Sequence, residues 1–182
     1  MILHRCFAWD RRAPLGEAGG ALWFARDWQG DGRHDNPDVY GCLYGAQDAV
    51  SAVVEQLARF RGSVFVPQVL VRRGLPLALA RLELDDAAEL VDLDEPRILA
   101  AHALRPSAVA TRRRHVTQPQ ALALHRQGAD GIRWWSTFES LWVNVTLFDH
   151  AAQRLRLGSI DRVSLDDAAV REAADFLGIA PA

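Results

Sequence analysis

The chain has 182 residues, 49% of them hydrophobic, with 23 acidic and 21 basic side chains and a net charge of -2. That length can bury one sizeable core and fits a single domain over residues 1–182. Charge so near balance gives no field that would gather nucleic acid or anionic lipid, so neither is expected as a partner.

Two cysteines, Cys6 and Cys42, are too few for a disulfide framework and lack metal-ligand spacing, which points to a reducing cytoplasm. The opening "MILHRCFAWDRR" carries no apolar run of signal-peptide length, and no segment approaches the roughly 18 apolar residues of a membrane span. "LHRCFAW" and "ALWFAR" alternate as strands across the Pro- and Gly-punctuated "DRRAPLGEAGG". "VYGCLYGA" reads as a strand, and "QDAVSAVVEQLARF" as a helix with Val50, Val53, Val54 and Leu57 on one face and Glu55 off it. "SVFVPQVLVRR" and "LPLALARLEL" predict a hairpin turning at "RG", with Pro67 at an edge or a bulge. Short helices follow at "EPRILAAHAL" and "TQPQALALHRQGADG", then strands at "GIRWWST" and "SLWVNVTLFD". The tail "SLDDAAVREAADFLG" predicts a helix capped at Ser164, acidic in its first turn and closed by Gly178. The class is α+β, with a mainly antiparallel β-sheet core and flanking helices.

Several chemistries lack their residues. There is no P-loop, no dinucleotide-binding glycine fingerprint and no helix with paired histidines, and the six histidines are scattered without ligand spacing. No metal and no bound cofactor is expected. The run Arg112 to His115 reads as a solvated face. Arg33 lies in the glycine-rich "GDGRHDNPD", where backbone can approach a ligand and a guanidinium can fork onto phosphate oxygens. Tyr44 closes a strand of small and apolar residues, so its ring is expected to be partly buried with its hydroxyl partnered. Glu55 lies mid-helix, where pairing with Arg59 at i,i+4 is the simplest use.

The order arginine, tyrosine, glutamate, followed by "ADGIRWWSTFESLWVNVTLFD" with Ser136 after a Gly-Ile strand, resembles the RES domain family. "LHRC" is similar to the family's opening strand, "GDGRHDNPD" to its Gly-Arg-Trp-Asn-Pro turn, and "CLYGAQDAVSAVVEQL" to its tyrosine strand and glutamate helix. "VTQPQALALHRQGADGIRWWS" is similar to its later helix, Asp-Gly turn and serine strand, so that the likeness covers roughly residues 3 to 165. One position departs: His34 stands where the family usually has tryptophan.

The resemblance implies a fold like that of ADP-ribosyltransferases, a reaction on NAD as substrate, and a place among bacterial toxins held by an Xre-type helix-turn-helix antitoxin. Cleaving the nicotinamide–ribose bond builds oxocarbenium-like charge on the sugar, which a carboxylate on a rigid helix can stabilise. By the resemblance, Glu55 is that carboxylate, Arg33 binds the pyrophosphate, Tyr44 stacks on or hydrogen-bonds the nicotinamide ribose end, and Ser136 bonds the ligand or orients Glu55. Hydrolysis, phosphorolysis and ADP-ribosyl transfer to a macromolecule share this first step, and the sequence does not identify the nucleophile. Val53 occupies the place, two before Glu55, where many transferases that modify protein side chains carry a second Glu or Gln. NAD degradation is therefore the expected activity, with macromolecular ADP-ribosylation or a non-catalytic nucleotide- or partner-binding module as alternatives.

Overall fold

The structure, a computed structural model, describes residues 1–181. In chain order the elements are β1 (Ile2–Ala8), β2 (Cys42–Ala46), α1 (Ala49–Leu57), β3 (Val64–Phe65), β4 (Val71–Arg72) and β5 (Leu75–Leu84). They continue with β6 (Leu90–Asp92), α2 (Pro96–Ala101), α3 (Pro106–Val109), α4 (Arg114–Arg126), β7 (Gly131–Trp135), β8 (Val143–Phe148), β9 (Leu155–Arg162), α5 (Ala168–Leu177) and β10 (Ala180–Pro181). Among the described residues, eight strands form one mixed sheet, which with the helices makes the class α+β. No helix among them is long and apolar enough to cross a membrane.

The chain divides into two compact units. One takes Ile2–Trp23, Gly45–Glu83 and the chain from Arg156 onward. Here β1 pairs antiparallel with β5 from Ile2↔Glu83 to Ala8↔Leu77, and Ala78, Ala80 and Leu82 turn inward at the two-residue period of a strand. β9 pairs with β5. The expected hairpin is present: β4 and β5 pair at Arg72↔Leu75 across Arg73 and Gly74, whose φ values of 53° and 77° are the left-handed pair that a two-residue hairpin turn requires. Helix α1 starts at Asp48, whose carboxylate accepts the Ser51 N–H at 3.0 Å. Its Val53, Val54 and Leu57 are fully buried, and the helix packs on β1 and on the Val170, Ala173, Ala174 and Leu177 face of α5. α5 ends at Gly178, left-handed with φ 64°, as its sequence predicted.

Three local expectations in this region are corrected. Ala21 to Arg26 forms no strand, because the Arg5 guanidinium donates to the carbonyls of Ala21 (2.7 Å) and Trp23 (3.0 Å) and so satisfies them outside any ladder. Pro67 opens a 3-10 turn, Pro67–Leu70, in place of an edge strand or a bulge. The terminal helix begins at Ala168, not at Ser164: the Ser164 N–H and hydroxyl both bond the Asp167 carboxylate, closing a local turn that leaves the two acids ahead of the first helical turn.

The other unit takes Met1, Phe24–Tyr44 and Leu84–Leu155. Strands follow the order β2-β8-β7-β6, with β7 and β8 antiparallel from Gly131↔Leu147 to Trp135↔Val143 and β6 parallel to β7. Its core gathers Tyr40, Leu124, Ile132, Trp134 and Phe148 between strands and α4.

Candidate functional site

The glycine-rich turn from Gly30 to Asn36 is built around one carboxylate. Asp35, 4% exposed, accepts the backbone N–H groups of Gly30 (2.9 Å) and Gly32 (2.6 Å) on one oxygen and the Tyr44 hydroxyl (2.6 Å) on the other. The absence of a side chain at Gly32 allows this closeness, since a Cβ there would lie 2.4 Å from an Asp35 carboxylate oxygen. Helix α4 secures the turn from the outside. Thr117 donates to the Arg33 carbonyl (2.5 Å), Gln118 to the carbonyls of Gly30 (2.9 Å) and Gly32 (3.0 Å), and Arg114 to that of Asp31 (2.7 Å). Arg112 to His115 is exposed as its sequence predicted, but Arg114 is also a structural clamp and the Arg112 guanidinium lies 4.9 Å over the Phe138 ring.

This scaffold fixes Arg33. One of its terminal nitrogens donates to the carbonyls of Val109 (2.7 Å) and Thr111 (2.5 Å), and the guanidinium lies over the Trp134 ring at 4.4 Å. The result is a cation of set orientation on an aromatic floor.

His34 points into the core. Its Nδ1 lies 2.8 Å from the Thr146 hydroxyl, its ring meets Trp134 edge-on at 5.4 Å and runs nearly parallel to Tyr44 at 6.4 Å. Burial, aided by the Arg33 charge, holds its pKa well below the usual histidine value, so the imidazole stays neutral. The Trp134 indole N–H shares the same Thr146 oxygen at 3.1 Å. At the position where the resembled family usually has tryptophan, this chain thus buries a small polar ring.

Tyr44 is half-buried, as expected from its strand, and its hydroxyl is committed twice: it donates to Asp35 and accepts the His34 N–H at 3.0 Å. Burial raises its pKa well above that of a free phenol, with Cys42 and Asp35 adding to the effect, so the group remains a phenol. The Cys42 thiol is likewise pushed up by burial and faces the His34 carbonyl at 3.4 Å, which makes it an inert core group.

Ser136 follows β7, two residues after Trp134, and is 3% exposed. Strand alternation puts Ile132, Trp134 and Ser136 on one face, opposite Asn144 and Thr146 of β8. Its Oγ accepts the Phe138 N–H at 3.1 Å while its own N–H donates to the Trp142 carbonyl at 2.8 Å, shaping the β7–β8 turn. Arg33, Tyr44 and Ser136 thus belong to one unit, the first two joined directly through His34 and Asp35. Glu55 belongs to the other unit, exposed on α1, and Arg59, in the 3-10 turn that follows the helix, lies over the Phe60 ring at 4.8 Å.

Sequence reasoning passed over Asp35, Thr117, Gln118 and Thr146. Asp35 could have been singled out as an acid three residues after a turn glycine, the spacing of a side chain that bonds its own backbone. Thr117, Gln118 and Thr146 come from far along the chain and carried no local signal.

A search among curated proteins found no match. Among solved structures, a chain in the crystal structure of the M. tuberculosis MbcT–MbcA toxin–antitoxin complex superposes with a TM-score of 0.65 at 17% identity, covering 98% of this chain and 87% of that one. At that identity the likeness establishes a shared fold. The RES domain matches residues 3–166, a span that includes the arginine turn, the tyrosine strand, the glutamate helix and the serine strand, and on that match the chain belongs to the RES domain family.

Proposed function

We propose that the protein is the toxin of a toxin–antitoxin pair and degrades NAD by cleaving its nicotinamide–ribose bond. The observation that carries this reading is the family match over residues 3–166, a span within which Arg33, Tyr44, Glu55 and Ser136 all lie. The rigid seat of Arg33 supports it: a guanidinium whose rotamer is set in advance loses little freedom on gripping a diphosphate.

In the reaction the C–N bond between ribose C1′ and the nicotinamide ring breaks, and nicotinamide leaves with the bonding electrons. Positive charge gathers on the ribose, and the Glu55 carboxylate stabilises it while accepting hydrogen bonds from the ribose hydroxyls. Arg33 holds the pyrophosphate, the Tyr44 ring packs on the nicotinamide ribose end, and Ser136 bonds the ligand or orients the carboxylate. Water or phosphate then adds to C1′. Val53 is fully buried, so α1 presents no polar partner two residues before Glu55, and this favours a small nucleophile over a protein side chain. The substrate is NAD, no metal or bound cofactor enters the proposed step, and the reaction takes place in the cytoplasm. The partner in this reading is an antitoxin of the Xre helix-turn-helix type, in keeping with the toxin–antitoxin complex whose chain shares the fold.

The test is to incubate the purified protein with NAD and resolve the products chromatographically. Nicotinamide accompanied by ADP-ribose indicates water as nucleophile, and by ADP-ribose phosphate indicates phosphate. Label transferred to protein or nucleic acid replaces degradation with macromolecular modification. Folded protein that leaves NAD intact removes the reading in favour of a binding module.

A further inference from the structure

His125 stands in the last turn of α4, while Asp149 and His150 directly follow β8. Folding brings the three together in one unit, with a ring nitrogen of each histidine and a carboxylate oxygen of Asp149 all within 4.8 Å of one another. We propose that His125, Asp149 and His150 bind a divalent transition-metal ion of the zinc type.

The donor set is two imidazoles and one carboxylate, which suits zinc, cobalt or nickel and does not suit magnesium or calcium, whose preferred ligands are all oxygen. The donors are also oriented. The His125 ring is stacked on Tyr40 at 4.4 Å and edge-on to Phe148 at 5.1 Å, and its Nδ1 is buried without a hydrogen-bond partner. A buried ring nitrogen left unbonded carries a desolvation cost, which a metal bond made through Nδ1 itself would offset. Asp149 is aimed by the Gly41 N–H, which donates to its Oδ2 at 2.7 Å.

His150 has a carboxylate behind it. Its Nε2 lies 3.5 Å from Asp130 Oδ1, while the other Asp130 oxygen accepts the Glu89 N–H at 2.9 Å and pairs with Arg154 at 2.9 Å. A carboxylate backing a metal-bound imidazole is the usual outer-shell arrangement, fixing the ring and raising its basicity. Metal–donor bonds of about 2.0–2.2 Å place tetrahedral ligands roughly 3.3–3.5 Å apart, so the donors must draw together by about an ångström. The His150 side chain, 40% exposed, has the freedom to do this. Three protein ligands leave a fourth position open to water or an added ligand.

The experiment uses the whole chain without a histidine tag, stripped with chelator. Zn²⁺ is titrated by calorimetry, Co²⁺ by its visible d–d absorption, and Mg²⁺ serves as the oxygen-seeking control. One Zn²⁺ or Co²⁺ per chain is expected, with tetrahedral-type cobalt bands and no competition from Mg²⁺. His150→Ala, at an accessible position, is expected to weaken binding at least tenfold, the smaller end of what losing even an outer-shell partner costs. His125→Gln has the same expectation, circular dichroism confirming that both variants fold, and His115→Ala is expected to leave binding unchanged. Absence of binding by the wild type, equal affinity for Mg²⁺, or binding that survives both His150→Ala and His125→Gln overturns the proposal.

Discussion

Replacing Tyr44 by phenylalanine removes one oxygen that serves two buried groups. The hydroxyl donates to the Asp35 carboxylate at 2.6 Å and accepts the His34 N–H at 3.0 Å. Hydrogen bonds to a charged group contribute about 1.5–3 kcal/mol, and a buried N–H left without a partner costs about 1–3 kcal/mol. Asp35 retains its two backbone donors, so the two costs overlap, and the net loss is about 2–4 kcal/mol. At about 2–4 °C per kcal/mol for a chain of this size, the melting temperature falls on the order of 10 °C. Urea unfolding of wild type and Tyr44→Phe, with the slope compared to show that the transition is the same, measures the difference. The phenyl ring still packs where Tyr44 packs, so NAD cleavage is expected to persist at temperatures where the variant is folded. A variant within about 0.5 kcal/mol of wild type refutes the tether, and one that is fully stable but inactive makes the hydroxyl a ligand contact.

Gly32→Ala puts a Cβ 2.4 Å from the Asp35 carboxylate, which must swing away from its donors; a loss of about 2 kcal/mol or more in the same urea assay is expected. Arg33→Lys keeps the charge but loses the planar stack on Trp134 and the pair of carbonyl contacts, and is expected to destabilise by about 1–3 kcal/mol as well as weaken NAD binding. His34 has a folded pKa below its unfolded value of 6.5, so the unfolded chain takes up the proton first and stability is lost as pH falls below about 6.5. His4 and His125 are lowered in the same direction, chiefly by burial, and add to that loss in the same sense. Denaturation across that range should show a shallower slope for His34→Gln, and an unchanged slope would mean that this ring is not held neutral.

Much of the architecture could be read from local pattern, because local pattern caused it. The α1 stripe of Val53, Val54 and Leu57, the Arg73-Gly74 turn and the Gly178 stop each depend on neighbours a few residues away. β9 was missed because most of its side chains face solvent, leaving no apolar alternation, and β6 because three residues are too few to show a period. Ala21 to Arg26 was misread because a guanidinium from β1 bonds its carbonyls, a long-range event invisible in the segment itself. The same division runs through the site. The arginine turn was visible in its glycines, while the clamp on it from Thr117 and Gln118 was not. The scattered histidines looked unrelated until the fold set His125 beside His150.

NAD degradation is tested most directly in cells, by measuring NAD after inducing wild type, Glu55→Ala and Arg33→Ala side by side in bacteria. Glu55 is exposed, so its replacement should change stability by no more than about 0.5 kcal/mol, and loss of activity in that variant reports on chemistry and not on folding. Losing the Arg33 grip on the pyrophosphate costs about 1.5–3 kcal/mol, one to two powers of ten in binding or turnover. On this reading wild type empties the NAD pool as growth stops, Glu55→Ala leaves pool and growth intact, and Arg33→Ala slows the depletion. Growth arrest by wild type at constant NAD would contradict it.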